Sequence, residues 1–581
     1  MFLECFHHTT RSNWAYAYDK DTIHLRVRTK RDDVEEVTAV TGDKYDWDGF
    51  HEDVPMLKIA ADEDFDYWEA AVKPRYKRFS YGFRLRSGDE TVFLTESGKF
   101  GEPPPPPGGY YEFPYIHEID IFTAPEWAKE AVFYQIMPDR FDNGDLETDP
   151  EFTEEWGQPP TNDNIFGGDL QGILNRLDYL SELGITAIYM TPIFESPSNH
   201  KYDTVDYKKI DPHLGDTELL KKLVASCHDR GIRVVLDAVF NHASEQFMPF
   251  QDVLKNGEKS KYKDWFHIRS FPAEVKEGKA SYDTFGFYGN MPKLNTSNPE
   301  VKAYLLDVAE YWIKEVDIDG WRLDVANEVD HHFWRDFRHT VKKTKPDAYI
   351  IGEVWSDSLM WLQGDQFDSV MNYPFADIVM GFIASGDRDG VTFANQINQL
   401  LMRYPQQTSE VIFNLLSSHD TPRVLTRVDG NKVRLKLAVV FLLTYIGTPC
   451  IFYGDEVGLS GGNDPDCRAC MEWDEEKQDH ELLDFYKLLI HLRKEHPVLR
   501  SGRFRFLKAD AEDSRIIYER LGEGEHFTIW MNNTGETSTL THPMDADDWS
   551  DALTGERVPT YEGQMSVGLE PFGYRVLKRA L

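Results

Sequence analysis

Up to about residue 122 the chain is built from short segments in which apolar and polar positions alternate. Residues 22–28 and 91–95 are examples, and Gly, Asp and Pro bound them. A period of two places every second side chain on one face, so these segments predict strands of a sandwich-like β module. Pro103 to Pro107 followed by Gly108 and Gly109 predicts a stiff, exposed loop within it. From about 123 the pattern changes to β-branched apolar runs separated by helical stretches, which is the signature of a parallel sheet. Candidate strands cover 131–137, 185–193, 232–239, 321–325, 349–354, 369–373, 411–416 and 449–453, with helical stretches such as 219–230 and 301–315 between them. Eight such units predict an α/β chain folded as a (β/α)8 TIM barrel.

Two departures refine the domain plan. Residues 243–291, after the third strand, are too many for a βα loop and carry Trp265, Phe266, Phe271, Tyr282, Phe285, Phe287 and Tyr288. They predict a small inserted subdomain overhanging the rim. Leu482, Phe485, Tyr486, Leu489 and Leu492 repeat at helical spacing, and after 502 strand patterns return at 515–519, 527–530 and 574–577. The expected domains are a β-sandwich over 1–122, a barrel over 123–501 with its insert at 243–291, and a C-terminal β-sandwich over 502–581.

Composition narrows the partners. With 41% apolar and 13% aromatic residues, the 581 residues can bury large cores. One hundred acidic against 63 basic residues leave a formal charge of −37, which argues against nucleic acid and anionic membrane as partners. A neutral polyol is indifferent to that charge. Five scattered cysteines fit a reducing compartment, and Cys467-Arg-Ala-Cys470 has no second CxxC to complete a zinc site. The first residues lack a basic segment followed by a long apolar one, and the longest apolar run, 437–446, is too short to span a bilayer. A cytoplasmic protein is expected.

The chemistry gathers at predicted strand ends: Asp237-Ala-Val-Phe-Asn-His242, Gly320-Trp-Arg-Leu-Asp324, Gly352-Glu-Val-Trp355 and Ser418-His-Asp420. In a TIM barrel those ends form the catalytic rim. Arg322 and Asp324 lie two apart on one strand and face the same way, and a guanidinium that close favours an ionised carboxylate suited to nucleophilic attack. Glu353 ends the next strand beside Trp355, and a carboxyl in aromatic surroundings can donate a proton. Asp420 supplies a third carboxylate. Several carboxylates on one rim make a site expected for cutting a glycosidic bond.

Taken together these motifs resemble the α-amylase family of retaining glycoside hydrolases over roughly residues 123–581. The resemblance implies Asp324 as nucleophile, Glu353 as general acid/base and Asp420 as transition-state stabiliser. It implies that Arg322, His242 and His419 bind the sugar at the cleavage subsite, that Tyr202 stacks on it, and that Asp237 and Asn241 brace the rim. Met291-Pro-Lys-Leu-Asn295, Val325-Ala-Asn-Glu328 and the N-terminal β module are similar to the cyclomaltodextrinase, neopullulanase and maltogenic amylase subgroup. Asp464 and Arg468 then fall in a further glucose-binding loop, Glu328 and Trp355 border the acceptor subsite, and Phe285 of the insert joins the substrate-binding residues. Asn143, Asp145, Asp149, Gly167 and Asp169 offer hard oxygen ligands where such enzymes often carry a structural Ca2+, although Thr148 stands in place of a more usual Asn. The expected activity is hydrolysis of α-1,4 bonds in cyclodextrins, maltooligosaccharides, pullulan and starch, with some transglycosylation. The expected assembly is a homodimer through the N-terminal module. The alternatives are an α-glucosidase or glucan transferase of the same family, or a non-catalytic glucan-binding relative.

Overall fold

The structure, a computed structural model, describes residues 1–581 apart from 511–513, 523, 545 and 547. Its first domain is a sandwich of two antiparallel sheets. One sheet runs in the order Ala15–Ala17, Ile23–Lys30, Phe65–Val72 and Leu57–Ala61; the other holds Asp46–Pro55, Glu36–Asp43, Phe79–Ser87, Glu90–Thr95 and Gly98–Phe100, with Tyr111–Phe113 also on Phe79–Ser87. Leu25, Val27, Val37, Phe83 and Leu85 alternate inward along these strands and form the core. Trp47 packs over Gly42 and against Tyr110 at 4.8 Å, whereas Tyr45 is 75% exposed. The sandwich is tied to the barrel by polar bonds: Asn13 Nδ2 donates to the Met402 carbonyl at 2.8 Å, Arg26 to the Tyr404 carbonyl at 2.8 Å, and Gln407 Nε2 to the Ala17 carbonyl at 2.9 Å.

The eight barrel strands are β1 (Phe133–Ile136), β2 (Ala187–Met190), β3 (Arg233–Ala238), β4 (Gly320–Leu323), β5 (Tyr349–Gly352), β6 (Ser369–Val370), β7 (Phe413–Leu415) and β8 (Thr448–Phe452). Neighbours pair in parallel from β6 back through β1 to β8 and β7, and a parallel bridge between Met371 and Phe413 closes the cylinder. The period of two divides each strand. Phe133, Tyr189, Val235, Ile351, Phe413 and Leu415 fill the barrel, while Tyr134, Ile188, Val234, Leu236 and Ile350 pack outward under the helices. The helices start where the sequence supplies caps. Asp216 accepts from Leu219 N before Thr217–His228, Asn298 precedes Pro299–Val316, and Asp479 caps His480–Glu495. Among the described residues no helix is long and apolar enough to cross a membrane.

The insert after β3 contains a helix, Met248–Asn256, and a short hairpin, Val275–Lys276 with Lys279–Ala280. Phe247, Phe250, Phe266 and Tyr282 form its buried aromatic centre. Bridges from His242 to Lys293 and from Phe266 to Leu294 lay it across the end of β3. The C-terminal domain has a five-stranded sheet in the order Arg503–Ala509, Arg515–Gly522, Glu525–Asn532, Tyr574–Ala580 and Ser550–Asp551. The pair Ser538–Pro543 and Gln564–Leu569 faces it across Ile517, Trp530, Leu540 and Met565.

Candidate active site

The site is built on Arg322. It lies on β4 beside Asp237 of β3 in register and is fully buried. One of its terminal nitrogens bonds both Asp237 oxygens at 3.1 and 3.0 Å and Asp324 Oδ1 at 2.9 Å. The other stands 3.0 Å from Glu353 Oε2 as an ion pair, and Nε donates to Met371 Sδ. Two carboxylates from adjacent strand ends are thus held on one guanidinium. A retaining glycosidase needs its two carboxyls close together, about 5–5.5 Å apart, and a shared guanidinium is compatible with such a pair.

Backbone geometry fixes Glu353. Its Oε2 accepts from Val325 N at 2.8 Å and its Oε1 from Trp355 Nε1 at 3.1 Å. Val325 adopts φ 45 and ψ 43, a left-handed conformation that is rare for a β-branched residue and costs on the order of 1–3 kcal/mol. That turn aims its N–H at Glu353. Trp355 lies flat on Tyr373 at 3.6 Å.

The sequence reading paired Arg322 with an ionised Asp324, and the structure adds two stronger influences. Burial first, and the Glu353 charge second, push the Asp324 carboxyl well above its ordinary range, with Arg322 opposing them. Asp324 Oδ2, the oxygen not bonded to Arg322, has no hydrogen-bond partner. Burial likewise raises Asp237 to about 6 against the pull of Arg322.

A chain of hydrogen bonds crosses the floor. Gln135 Nε2 donates to His419 Nδ1 at 2.5 Å, which leaves the His419 proton on Nε2, 2.6 Å from the Tyr202 hydroxyl and 3.2 Å from Asp420 Oδ2. Tyr202 in turn donates to Asp237 Oδ2 at 3.1 Å, as does Tyr189 at 2.5 Å. Burial depresses His419 far below the ordinary histidine range and His242 to about 3, so both rings are neutral at pH 7. His242 stacks on Phe285 at 4.9 Å. Arg468 donates to the His419 carbonyl at 2.8 Å and pairs with Asp420 at 3.3 Å and Asp464 at 3.2 Å.

These residues border a cleft of about 770 Å³ at the C-terminal rim. It brings together Tyr202, His242, Phe285, Asp324, Glu353, Trp355, His419, Asp420, Asp464 and Arg468. Arg322, Asp237 and Asn241 lie beneath it. Glu328 stands outside that lining: it is tied to Lys293 beside the cleft, and its neighbour Asn327 faces the space instead. The sequence reading missed Gln135, Tyr189, Tyr373, Asn162 and Asp163. Gln135 alone carried a signal, as a lone amide in an apolar strand.

The proposed metal ligands sit away from the cleft. Asn143 Nδ2 donates to both Asp149 oxygens at 3.0 Å, its Oδ1 is buried without a partner, and Gly167, at φ 80, closes against the same carboxylate. Asp169 accepts from Gly144, Asp145 and Gly172 N–H groups, capping the helix Leu170–Asn175. Among the described residues no group of three or more His, Cys, Asp or Glu converges as metal ligands do.

Comparison with known proteins agrees with this architecture along the whole chain. Residues 135–502 match the alpha amylase catalytic domain, 1–117 the alpha amylase N-terminal ig-like domain, and 504–576 the maltogenic amylase C-terminal domain. A cyclomaltodextrinase of Bacillus sp is 57% identical over 93% of this chain and 97% of its own length. Neopullulanase 2 of Thermoactinomyces vulgaris is 46% identical over 99% of both. A solved cyclomaltodextrinase superposes with a TM-score of 0.96 at 52% identity, covering all of both chains. The chain belongs to the α-amylase family, in the subgroup that holds the cyclomaltodextrinases, neopullulanases and maltogenic amylases.

Proposed function

We propose that this glycoside hydrolase cleaves α-1,4 bonds of cyclodextrins, short maltooligosaccharides and pullulan with retention, and transfers part of the glycosyl product to sugar acceptors. The observation that carries the reading is the single Arg322 guanidinium shared by Asp324 and Glu353. In this mechanism Asp324 attacks the anomeric carbon through its unpartnered Oδ2 while Glu353 protonates the departing oxygen; water or a sugar hydroxyl then attacks the glycosyl-Asp324 intermediate as Glu353 takes the proton back. Attack requires Asp324 ionised, the form that Arg322 favours, and a proton on Glu353. Asp420, held by Arg468 and His419, meets the hydroxyls of the distorted sugar. The names of the relatives support the substrate class, and a cleft of about 770 Å³ suits short or cyclic glucans.

Three finer readings accompany it. Asn143 Oδ1, Asp149 and the Gly167 carbonyl, with Asp145 and Asp169 beside them, suit a structural Ca2+. The orphaned Asn143 Oδ1 is the observation that favours one, and three N–H bonds still leave a lone pair on Asp169. The exposed Tyr45, with Tyr76 and the Arg75 and Arg78 guanidiniums around it, suits a dimer contact on the N-terminal module. Five unpaired cysteines suit the cytoplasm.

The test compares products from β-cyclodextrin, pullulan and soluble starch and follows the anomeric configuration during the reaction. Asp324→Asn and Glu353→Gln are expected to lower kcat by at least ~10²–10⁴-fold without loss of fold. Inverted product, or near-full activity of either variant, rejects the assignment.

A further inference from the structure

Lys293, the lysine of Met291-Pro-Lys-Leu-Asn295, has a place that none of the catalytic roles uses. Its backbone bridges His242 just past β3, and its ammonium reaches three acceptors on two parts of the rim. It donates to Asn241 Oδ1, to the Glu328 carbonyl at 3.0 Å and to Glu328 Oε2 at 3.4 Å. Asn241 follows β3 by three residues, Glu328 lies in the loop after β4, and Lys293 belongs to the segment returning from the insert.

The contact with Asn241 decides more than an attachment. An ammonium has three donors and no acceptor, so the Asn241 amide must turn its oxygen toward it. Its Nδ2 then faces His242 Nδ1 at 3.2 Å and donates. With Nδ1 accepting, the one proton of the neutral ring sits on Nε2, which donates to the Tyr202 carbonyl at 3.1 Å. Lys293, through Asn241, therefore supports the same tautomer that the Tyr202 carbonyl demands and holds from its Nδ1 side a ring that lies on Phe285 and borders the cleft. Its second contact holds the carbonyl and the carboxylate of Glu328, next to Asn327, which borders the same cleft as Glu353 and Trp355.

We propose that Lys293 is a positioning residue that locks the insert to the rim, fixes His242 and holds the Asn327–Glu328 loop where the acceptor arrives, so that it sets the partition of the glycosyl group between water and sugar. The inference rests on the hydrolase reading above and names a control within it.

The experiment measures KM and kcat on β-cyclodextrin, and the ratio of transfer product to hydrolysis product with maltotriose as donor and glucose as acceptor. Wild type, Lys293→Met and Lys293→Arg are compared. Methionine keeps the aliphatic stem and removes the donors; arginine keeps donors without acceptors, so it turns Asn241 the same way. Lys293→Met is expected to raise KM and lower the transfer ratio several-fold with a smaller change in kcat, and Lys293→Arg to recover most of the ratio. A merely structural lysine predicts a different result: Lys293→Met lowers the melting temperature and leaves KM and the transfer ratio at wild-type values. That result overturns the proposal, as does an arginine variant that behaves like the methionine one. Failure of the hydrolase reading itself is separate, because wild type would then release no product from any of the glucans.

Discussion

At the scale of single residues the site depends on a few groups held where they do not rest easily. Val325 is the clearest. Its left-handed backbone aims an N–H at Glu353, and glycine adopts that conformation without strain. Val325→Gly is therefore expected to cost no net stability in urea melts, because relief of strain offsets the added freedom of the unfolded chain. It should still lower kcat, because the N–H is no longer fixed. A loss of more than ~1 kcal/mol in stability would show that the conformation is not strained. At this scale the sequence was legible wherever a residue type announced chemistry. The carboxylates, His242, His419 and Arg322 stand at strand ends, where polar groups are conspicuous. Tyr189 and Tyr373 were not legible, because an inward-facing tyrosine is indistinguishable in sequence from a core aromatic. Lys293 was visible as part of a motif, yet its three acceptors are 52 and 35 positions away and meet only in the fold.

Elements were easier to read than their limits. All eight barrel strands were found because each is a buried apolar run, but β6 was read as five residues and is two. Asn372 caps the helix Tyr373–Met380, so the chain turns out of the sheet at once. The loop after β1 was read as a ligand set, and its structure gives that reading a test. Asn143, Asp149 and Gly167 close one end of the loop and Asp169 caps the helix that follows, so an ion bound there ties the loop to that helix. Chelation is then expected to lower the melting temperature while activity at low temperature persists, since the ion binds only the native form. An unchanged melting curve together with metal-free purified protein would reject the site.

For the whole molecule two consequences follow from how the domains and charges are arranged. A chain beginning near Thr123 loses the bonds from Asn13, Arg26 and Ala17 to residues 402–407. It is expected to sediment as a monomer and, with no partner's N-terminal module to wall its cleft, to show a lower ratio of cyclodextrin to starch activity than the full-length protein. A full-length protein that sediments as a monomer with the higher ratio would place such a wall in the barrel's own loops. The second consequence is pH dependence. Burial lowers His8 to about 4 and His242 to about 3, and holds His419 well below the ordinary 6.5. Because the unfolded chain binds these protons first, their contribution to stability is complete above pH 6.5 and is lost as pH falls below it. Each contributes a slope of up to ~1.4 kcal/mol per pH unit. Buried acids with raised values, such as Asp455 and Glu456, pull the other way, so the measurement is a difference. Between pH 6.5 and 4.5 the stability of His8→Gln should fall less steeply than that of wild type; equal slopes would mean that His8 takes up its proton as readily in the fold as in the unfolded chain. Finally, the cylinder is sewn unevenly. Between β6 and β7 it is closed by one bridge, Met371 to Phe413, with Asn372 N on the Phe413 carbonyl and Phe413 N on Ser369 Oγ. A seam with so few stitches is where the barrel breathes, and amide protons there should exchange with solvent before those of β1 to β4. Met371 also cradles Arg322, so each opening of the seam loosens the arginine on which both carboxylates hang.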